Sequence, residues 1–205
     1  MRQDASGVGG PAVLGQFPVV AVGASAGGLR ATVELLRELG PRPDIALVVI
    51  HHLDPIHESA LAEILSRATP MAVVVATDGV RVEPNHVYVM PPNADLLIRA
   101  GILNLVPRAY TGHLHLPINQ FFESLALDQE SLAIGVVLSG TGSDGTEGVK
   151  AIMSHGGLAL AQDTTAEYSG MPESAIATGC IDFVSSPPGL ARALVGLRAR
   201  IGHDR

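Results

Sequence analysis

The chain has 205 residues, enough for one α/β core and short for two, and 47% of them are apolar with only 3% aromatic, so the interior must be built from Val, Leu, Ile and Ala. A formal net charge of −7, with basic residues scattered rather than gathered on one face, excludes a nucleic-acid partner. The single cysteine, Cys180, excludes an internal disulfide and a Cys-rich zinc site; the absence of a secretory pattern and of any apolar run near the roughly 20 residues that span a bilayer makes the cytoplasm the expected compartment.

Residues 1–16 mix Gly, Pro, Ser and polar residues without a period and read as a flexible leader or linker, leaving one domain over 17–205. Residues 17–29 then read as a buried strand, a tight turn and a helix start, with Ser25 among small residues at the strand's tip. Apolar residues at Val33, Leu35, Leu36 and Leu39 predict a helix over 29–39, ended by Gly40-Pro41. The continuous apolar run 45–50 predicts a second buried strand, which stops at His51-His52. A helix over 59–67 and a strand over 71–75 follow, and this alternation implies parallel strands joined by right-handed crossovers.

The middle changes character. Short runs at 87–90, 96–98 and 102–105, separated by Pro91-Pro92-Asn93 and Ala100-Gly101, predict hairpins added to the sheet edge. Residues 108–117 are irregular, and a helix is expected over about 118–127. The βα rhythm returns with a buried strand over 133–138 that runs into the glycine-rich turn from Ser139 to Gly145 and a helix through Ile152. A strand over 158–161, a turn at Gly170-Met171-Pro172, a helix over 173–177, a strand over 181–184 and a helix from Pro188 complete the chain. The expected fold is α/β: a doubly wound, mainly parallel sheet with helices on both faces and an added β-hairpin region.

Functional groups in such sheets collect beyond the carboxyl ends of the strands. Here one strand ends at Ser25, one at His51-His52, and a third leads to Asp144, so a hydroxyl, an imidazole and a carboxylate can meet on one edge. That is the inventory of a serine hydrolase: an imidazole takes the proton of a weak hydroxyl nucleophile, and a carboxylate orients the imidazole. Taken singly, either histidine could be a hydrogen-bonded loop residue, and Asp144 could cap the helix that follows it. Spacing does not choose between His51 and His52.

Other readings fit less well. The glycines Gly23, Gly27 and Gly28 lack the Gly-x-Gly-x-x-Gly spacing of a dinucleotide site, the second strand ends in histidines where a ribose-binding acid is wanted, and no Gly-Lys-Ser/Thr follows a glycine run. None of the eight histidines forms a His-x-x-x-His pair beside an acidic ligand on a predicted helix, so neither a metal nor another cofactor is expected.

Together these stretches resemble the chemotaxis protein-glutamate methylesterases, the CheB catalytic domain, over about 17–197. Val22-Gly23-Ala24-Ser25-Ala26-Gly27-Gly28 is similar to the family's nucleophile turn and Leu138-Ser139-Gly140-Thr141-Gly142-Ser143-Asp144-Gly145 to its aspartate turn. Glu83-Pro84-Asn85-His86-Val87-Tyr88 and Gly170-Met171-Pro172 are similar to further signatures. In the family the catalytic histidine follows a glutamine at the end of the second strand, so the resemblance assigns the base to His52, with His51 in the glutamine's place. It implies a Ser25, His52, Asp144 triad, with Ala26, Gly27, Thr141, Gly142 and Met171 as oxyanion or substrate residues. Ala26 and Thr141 stand where the family commonly has threonine and methionine.

The implied activity is demethylation of glutamate γ-methyl esters on chemoreceptor-type proteins, with deamidation of receptor glutamines as a second activity. The implied partners are a methylated chemoreceptor-type substrate and a regulatory receiver or methyltransferase. The wording Ala-Ser-Ala-Gly-Gly, with His52-Leu-Asp-Pro and His115-Leu-Pro, is closer to methylesterase domains joined to receptor methyltransferases than to the stand-alone enzyme. The competing expectations are a non-catalytic signalling domain of the same fold and an ester or amide hydrolase outside chemotaxis.

Overall fold

A computed structural model describes residues 17–51, 60–108 and 114–201. Its centre is β1 (Val19–Ala24), all six residues buried, flanked by β2 (Ala46–His51) and β8 (Ala133–Val137), which are buried along their whole length as well. Burial on both faces requires apolar residues at consecutive positions, which is why these strands read as unbroken runs rather than alternations. With β3 (Ala72–Val75), β5 (His86–Val89), β9 (Leu158–Gln162) and β10 (Phe183–Ser185) they form one seven-stranded parallel sheet in the order β10-β9-β8-β1-β2-β5-β3. The chain builds outward from β1 on one side and later returns to its other side with β8. The strand order therefore reverses between β1 and β8, beside the end of β1 that carries Ser25.

Helices α1 (Gly28–Leu39), α2 (Leu61–Ser66) and α6 (Pro187–Ile201) cover one face, with Leu35, Leu36, Leu65 and Leu190 against Val20, Val22, Leu47 and Val49. The other face carries α3 (Pro117–Gln129), α4 (Thr146–Ser154) and α5 (Gly170–Ala177). Helix α3 is anchored by the fully buried Ile118, Phe121, Phe122 and Leu125. Each such side chain contributes about 1.5–3 kcal/mol, so the start of α3 is a fixed point against which a loop can be set. Among the described residues no helix is long and apolar enough to cross a membrane.

Two expectations change. The run at 87–90 is not part of an edge hairpin: β5 lies inside the parallel sheet, pairing β2 through Leu47↔Val87 and β3 through Val73↔Val87. The hairpin strands β6 (Ala94–Arg99) and β7 (Ile102–Pro107) form a separate three-stranded antiparallel sheet with β4 (Val80–Arg81). That sheet does not extend the main one; Leu96, Ile98 and Leu103 pack into the α3 side of the core. Its turn is Ala100-Gly101, both at positive φ (51° and 69°), the conformation that matches the twist of a two-residue hairpin. The second change is at Gly170-Met171-Pro172, which begins α5 rather than preceding it. Pro172 fits there because the first turn of a helix leaves its N–H groups without intrahelical acceptors.

The remaining predicted elements appear within a few residues of their expected bounds. Residues 1–16, His52 and the start of the helix expected from residue 59 lie outside the described residues.

Candidate active site

Ser25 follows β1 directly and is half-buried. Its N–H donates to the Ser139 carbonyl at 3.0 Å, and its carbonyl accepts from the Gly28 N–H at 2.9 Å. The second bond orients the Ser25–Ala26 peptide. Because the C=O and N–H of a trans peptide point in opposite directions, a Ser25 carbonyl turned toward the Gly28 N–H directs the Ala26 N–H to the other side of that peptide. Gly27, the residue capping α1, sits at φ 71°, where a side chain would be strained. No acidic residue occupies the first turn of α1, but the Glu167 side chain packs against Gly27 at the start of the helix, where a Cβ on Gly27 would lie 3.2 Å from Glu167 Oε2.

The two faces of the sheet separate the groups at this edge. Ala24 lies on the α1 side and pairs in register with His51. His51 is 5% exposed, and its Nε2 lies so near Gly28 that a Cβ there would stand 2.9 Å away. The imidazole is thus packed beneath the start of α1. Ser25 leans the other way: its Cβ lies 3.0 Å from where a Gly140 Cβ would be, and Met171 Sδ would stand 2.2 Å from that same atom. Gly140 is a position where only the absence of a side chain allows this approach. Met171 is fully buried and belongs to the core cluster on the α3 side, so it supports the turn from behind.

Asp144 ends the loop after β8 and is 2% exposed. Its Oδ2 accepts from the Ile118 N–H at 3.0 Å, and its Oδ1 from the N–H groups of Asn119 at 2.9 Å and Gly145 at 2.8 Å. Ile118 and Asn119 are the second and third residues of α3, whose own capping residue, Leu116, supplies no side-chain bond. Asp144 therefore caps α3 across 25 or more residues of sequence, in addition to bonding the Gly145 N–H next to it. Asp144 does cap a helix, but that helix is α3 and not the α4 that follows it, whose N-cap is Gly145 with no side-chain cap bond. Asn119 returns the favour, its Oδ1 accepting from the Gly148 N–H of α4 at 3.0 Å. Three backbone donors and a helix N-terminus compensate the buried carboxylate.

Ile118 ties the two strand ends together. Its side chain lies against Gly23, two residues before Ser25, and against Gly145, one residue after Asp144. Thr141, Gly142 and Ser143 form the exposed crest of the aspartate turn. Thus Ser25, Ala26, Gly27, Thr141, Gly142 and Asp144 lie on loops at the ends of the adjacent strands β1 and β8, Met171 lies under them, and His52 lies outside the described residues.

Two contributors escaped the sequence reading. Ser139, 1% exposed, joins the turn after β1 to the segment before α5, and Asn119 couples the starts of α3 and α4. Asn119 carried a signal: a polar side chain amid the apolar positions Ile118, Phe121 and Phe122 of a core helix.

The profile of the CheB methylesterase family matches residues 20–194. Over 205 aligned residues, 97% of this chain and 59% of the relative, the chain is 37% identical to protein-glutamate methylesterase/protein-glutamine glutaminase 1 of Myxococcus xanthus. It is 46% identical over 123 residues, 60% of this chain, to an uncharacterized 104.1 kDa protein of Rhodobacter capsulatus, of which it covers 13%. The chain thus spans about three-fifths of the first relative and a small part of the second. Among solved structures, the CheB methylesterase catalytic domain of Thermotoga maritima superposes with a TM-score of 0.82 at 28% identity, covering 89% of this chain and 99% of that one. With its seven-stranded parallel sheet and a match over most of its length, the chain belongs to the CheB methylesterase family.

Proposed function

We propose that this chain is a serine hydrolase that removes methyl groups from glutamate γ-methyl esters on chemoreceptor-type proteins, with Ser25, His52 and Asp144 as its triad. The observation that carries the reading is the joint presentation of Ser25 and Asp144 at the ends of neighbouring strands, braced by one side chain, Ile118. In this mechanism Ser25 Oγ attacks the ester carbonyl carbon while His52 takes its proton. The oxyanion is held by backbone N–H groups, Ala26 first and the Thr141–Gly142 segment opposite. Collapse expels methanol, which leaves with the proton from His52, and a Ser25 acyl ester remains. Water, deprotonated by the same imidazole, then releases glutamate and free Ser25.

Support for His52 over His51 comes from His51 itself, which is packed beneath α1 on the face opposite the one Ser25 leans toward. Because both oxyanion donors are main-chain groups, alanine at 26 and threonine at 141 leave them in place. Glutamine deamidation follows the same steps with ammonia leaving, in keeping with the double name of the Myxococcus relative. Control by a receiver or methyltransferase partner, a cytoplasmic location and one domain over 17–205 belong to the same proposal.

The test is to incubate the chain with a methylated receptor fragment, measure methanol, and map the adduct of a fluorophosphonate by mass spectrometry. We expect methanol release and modification at Ser25; no methanol, or an adduct elsewhere, would sink the reading.

Asp144→Asn is expected to lose about 10³- to 10⁴-fold in kcat, since an amide neither orients nor stabilises the imidazolium as a carboxylate does. It is also expected to cost about 1–3 kcal/mol of stability. One of its two oxygens becomes an NH2 group that faces backbone donors. Paired kinetic and thermal-melt measurements separate the two effects; an unchanged melt would contradict the capping role.

A further inference from the structure

We propose that Ser139 is a positioning residue for the nucleophile turn, acting through the Ala26 carbonyl; the proposal rests on Ser25 being the nucleophile. Every polar atom of Ser139 is engaged. Its N–H donates to Gln162 Oε1 at 2.9 Å, and its carbonyl accepts from the Ser25 N–H at 3.0 Å. Its hydroxyl donates to the Ala26 carbonyl at 2.8 Å and accepts from the Tyr168 N–H at 3.0 Å. The hydroxyl is 3.4 Å from the Tyr168 carbonyl, and its single proton goes to the nearer Ala26 oxygen.

The consequence lies in successive peptide planes. The Ser25–Ala26 peptide is fixed by the Gly28 N–H, and the Ala26–Gly27 peptide by the Ser139 hydroxyl. With both carbonyls held, the Ala26 and Gly27 N–H groups have defined directions, and Ser25 is held at its own N–H from the same residue. Gly27 packs directly on this hydroxyl, since a Cβ there would lie 2.7 Å from Ser139 Oγ. Gln162, 3% exposed and further held by Thr165, fixes Ser139 in turn. The turn that offers the nucleophile is therefore oriented by a side chain from β8's loop, 113 residues away in sequence.

A purely structural hydroxyl would change stability without changing the chemistry of the folded enzyme. We expect Ser139→Ala, measured well below its melting temperature, to slow fluorophosphonate acylation of Ser25 by about 10- to 100-fold. We expect the loss in ester turnover to fall on kcat, with KM within about twofold, and Ser139→Thr, which keeps the hydroxyl, to recover most of the rate. A folded Ser139→Ala that is acylated within about threefold of the wild-type rate, or a loss confined to KM, overturns the proposal. Should Ser139→Ala fail to fold, Gln162→Met decides: it removes the acceptor of the Ser139 N–H at similar length, with about tenfold slower acylation expected and an unchanged rate overturning the proposal. A wild-type chain that is not acylated at Ser25 removes the nucleophile reading itself. That result is distinct from equal acylation of wild type and variant.

Discussion

Ser25→Ala will reduce methanol release on the order of 10⁴- to 10⁶-fold while leaving the fold intact. The size of the loss follows from the role, because without a nucleophile the remaining machinery only offers donors to the oxyanion and binding, and water must attack unaided. The stability of the variant follows from the surroundings. Ser25 is bound through its main-chain N–H and carbonyl, to Ser139 and Gly28, and alanine keeps both. Its side chain is half-buried beside Gly140, so losing one oxygen creates no strain. A normal melt with no methanol above background is the expected pair of results; measurable release at a tenth of the wild-type rate would assign the nucleophile elsewhere.

The second large effect separates two neighbouring histidines. His52→Ala is expected to cost about as much as Ser25→Ala, because nucleophile and base act as one unit and removing either disables it. His51→Ala should cost less than about tenfold in kcat and show its effect in stability, about 1–3 kcal/mol, since its 5%-exposed ring fills space beneath Gly28. Combining each with Ser25→Ala sharpens the contrast. The double variant Ser25→Ala/His52→Ala should be no slower than Ser25→Ala alone, as expected for members of one catalytic unit. Equal losses for His51→Ala and His52→Ala, each with an unaltered melt, would overturn the assignment.

How much of this was legible depended on the range of the interaction involved. Strands β1, β2 and β8 were visible because two-faced burial writes itself as consecutive apolar residues, and Ser25, His51 and Asp144 stood out because chemistry interrupts those runs. Strand β5 was misassigned because Val87, Tyr88 and Val89 are equally at home in a hairpin or a buried sheet. What decides is its pairing with β2 and β3, a non-local choice that no local period records. The start of α5 was missed because Pro172 reads as a breaker unless its place in the first turn is known. Around the candidate site, residue types were readable while the bracing was not: the bonds from Asp144 to α3 and from Ser139 to Ala26 cross 25 or more residues.

The cross-cap between Asp144 and α3 couples the Asp144 carboxylate to local opening of the molecule. The Ile118 and Asn119 amide protons are bonded to the carboxylate itself, and their release into solvent requires that the carboxylate leave its seat or that α3 withdraw. These two amides are thus built-in reporters of how often the site comes apart, readable by hydrogen exchange without any substrate. A partner that grips the strand edge would change their exchange rates in proportion to how far it holds Asp144 in its seat.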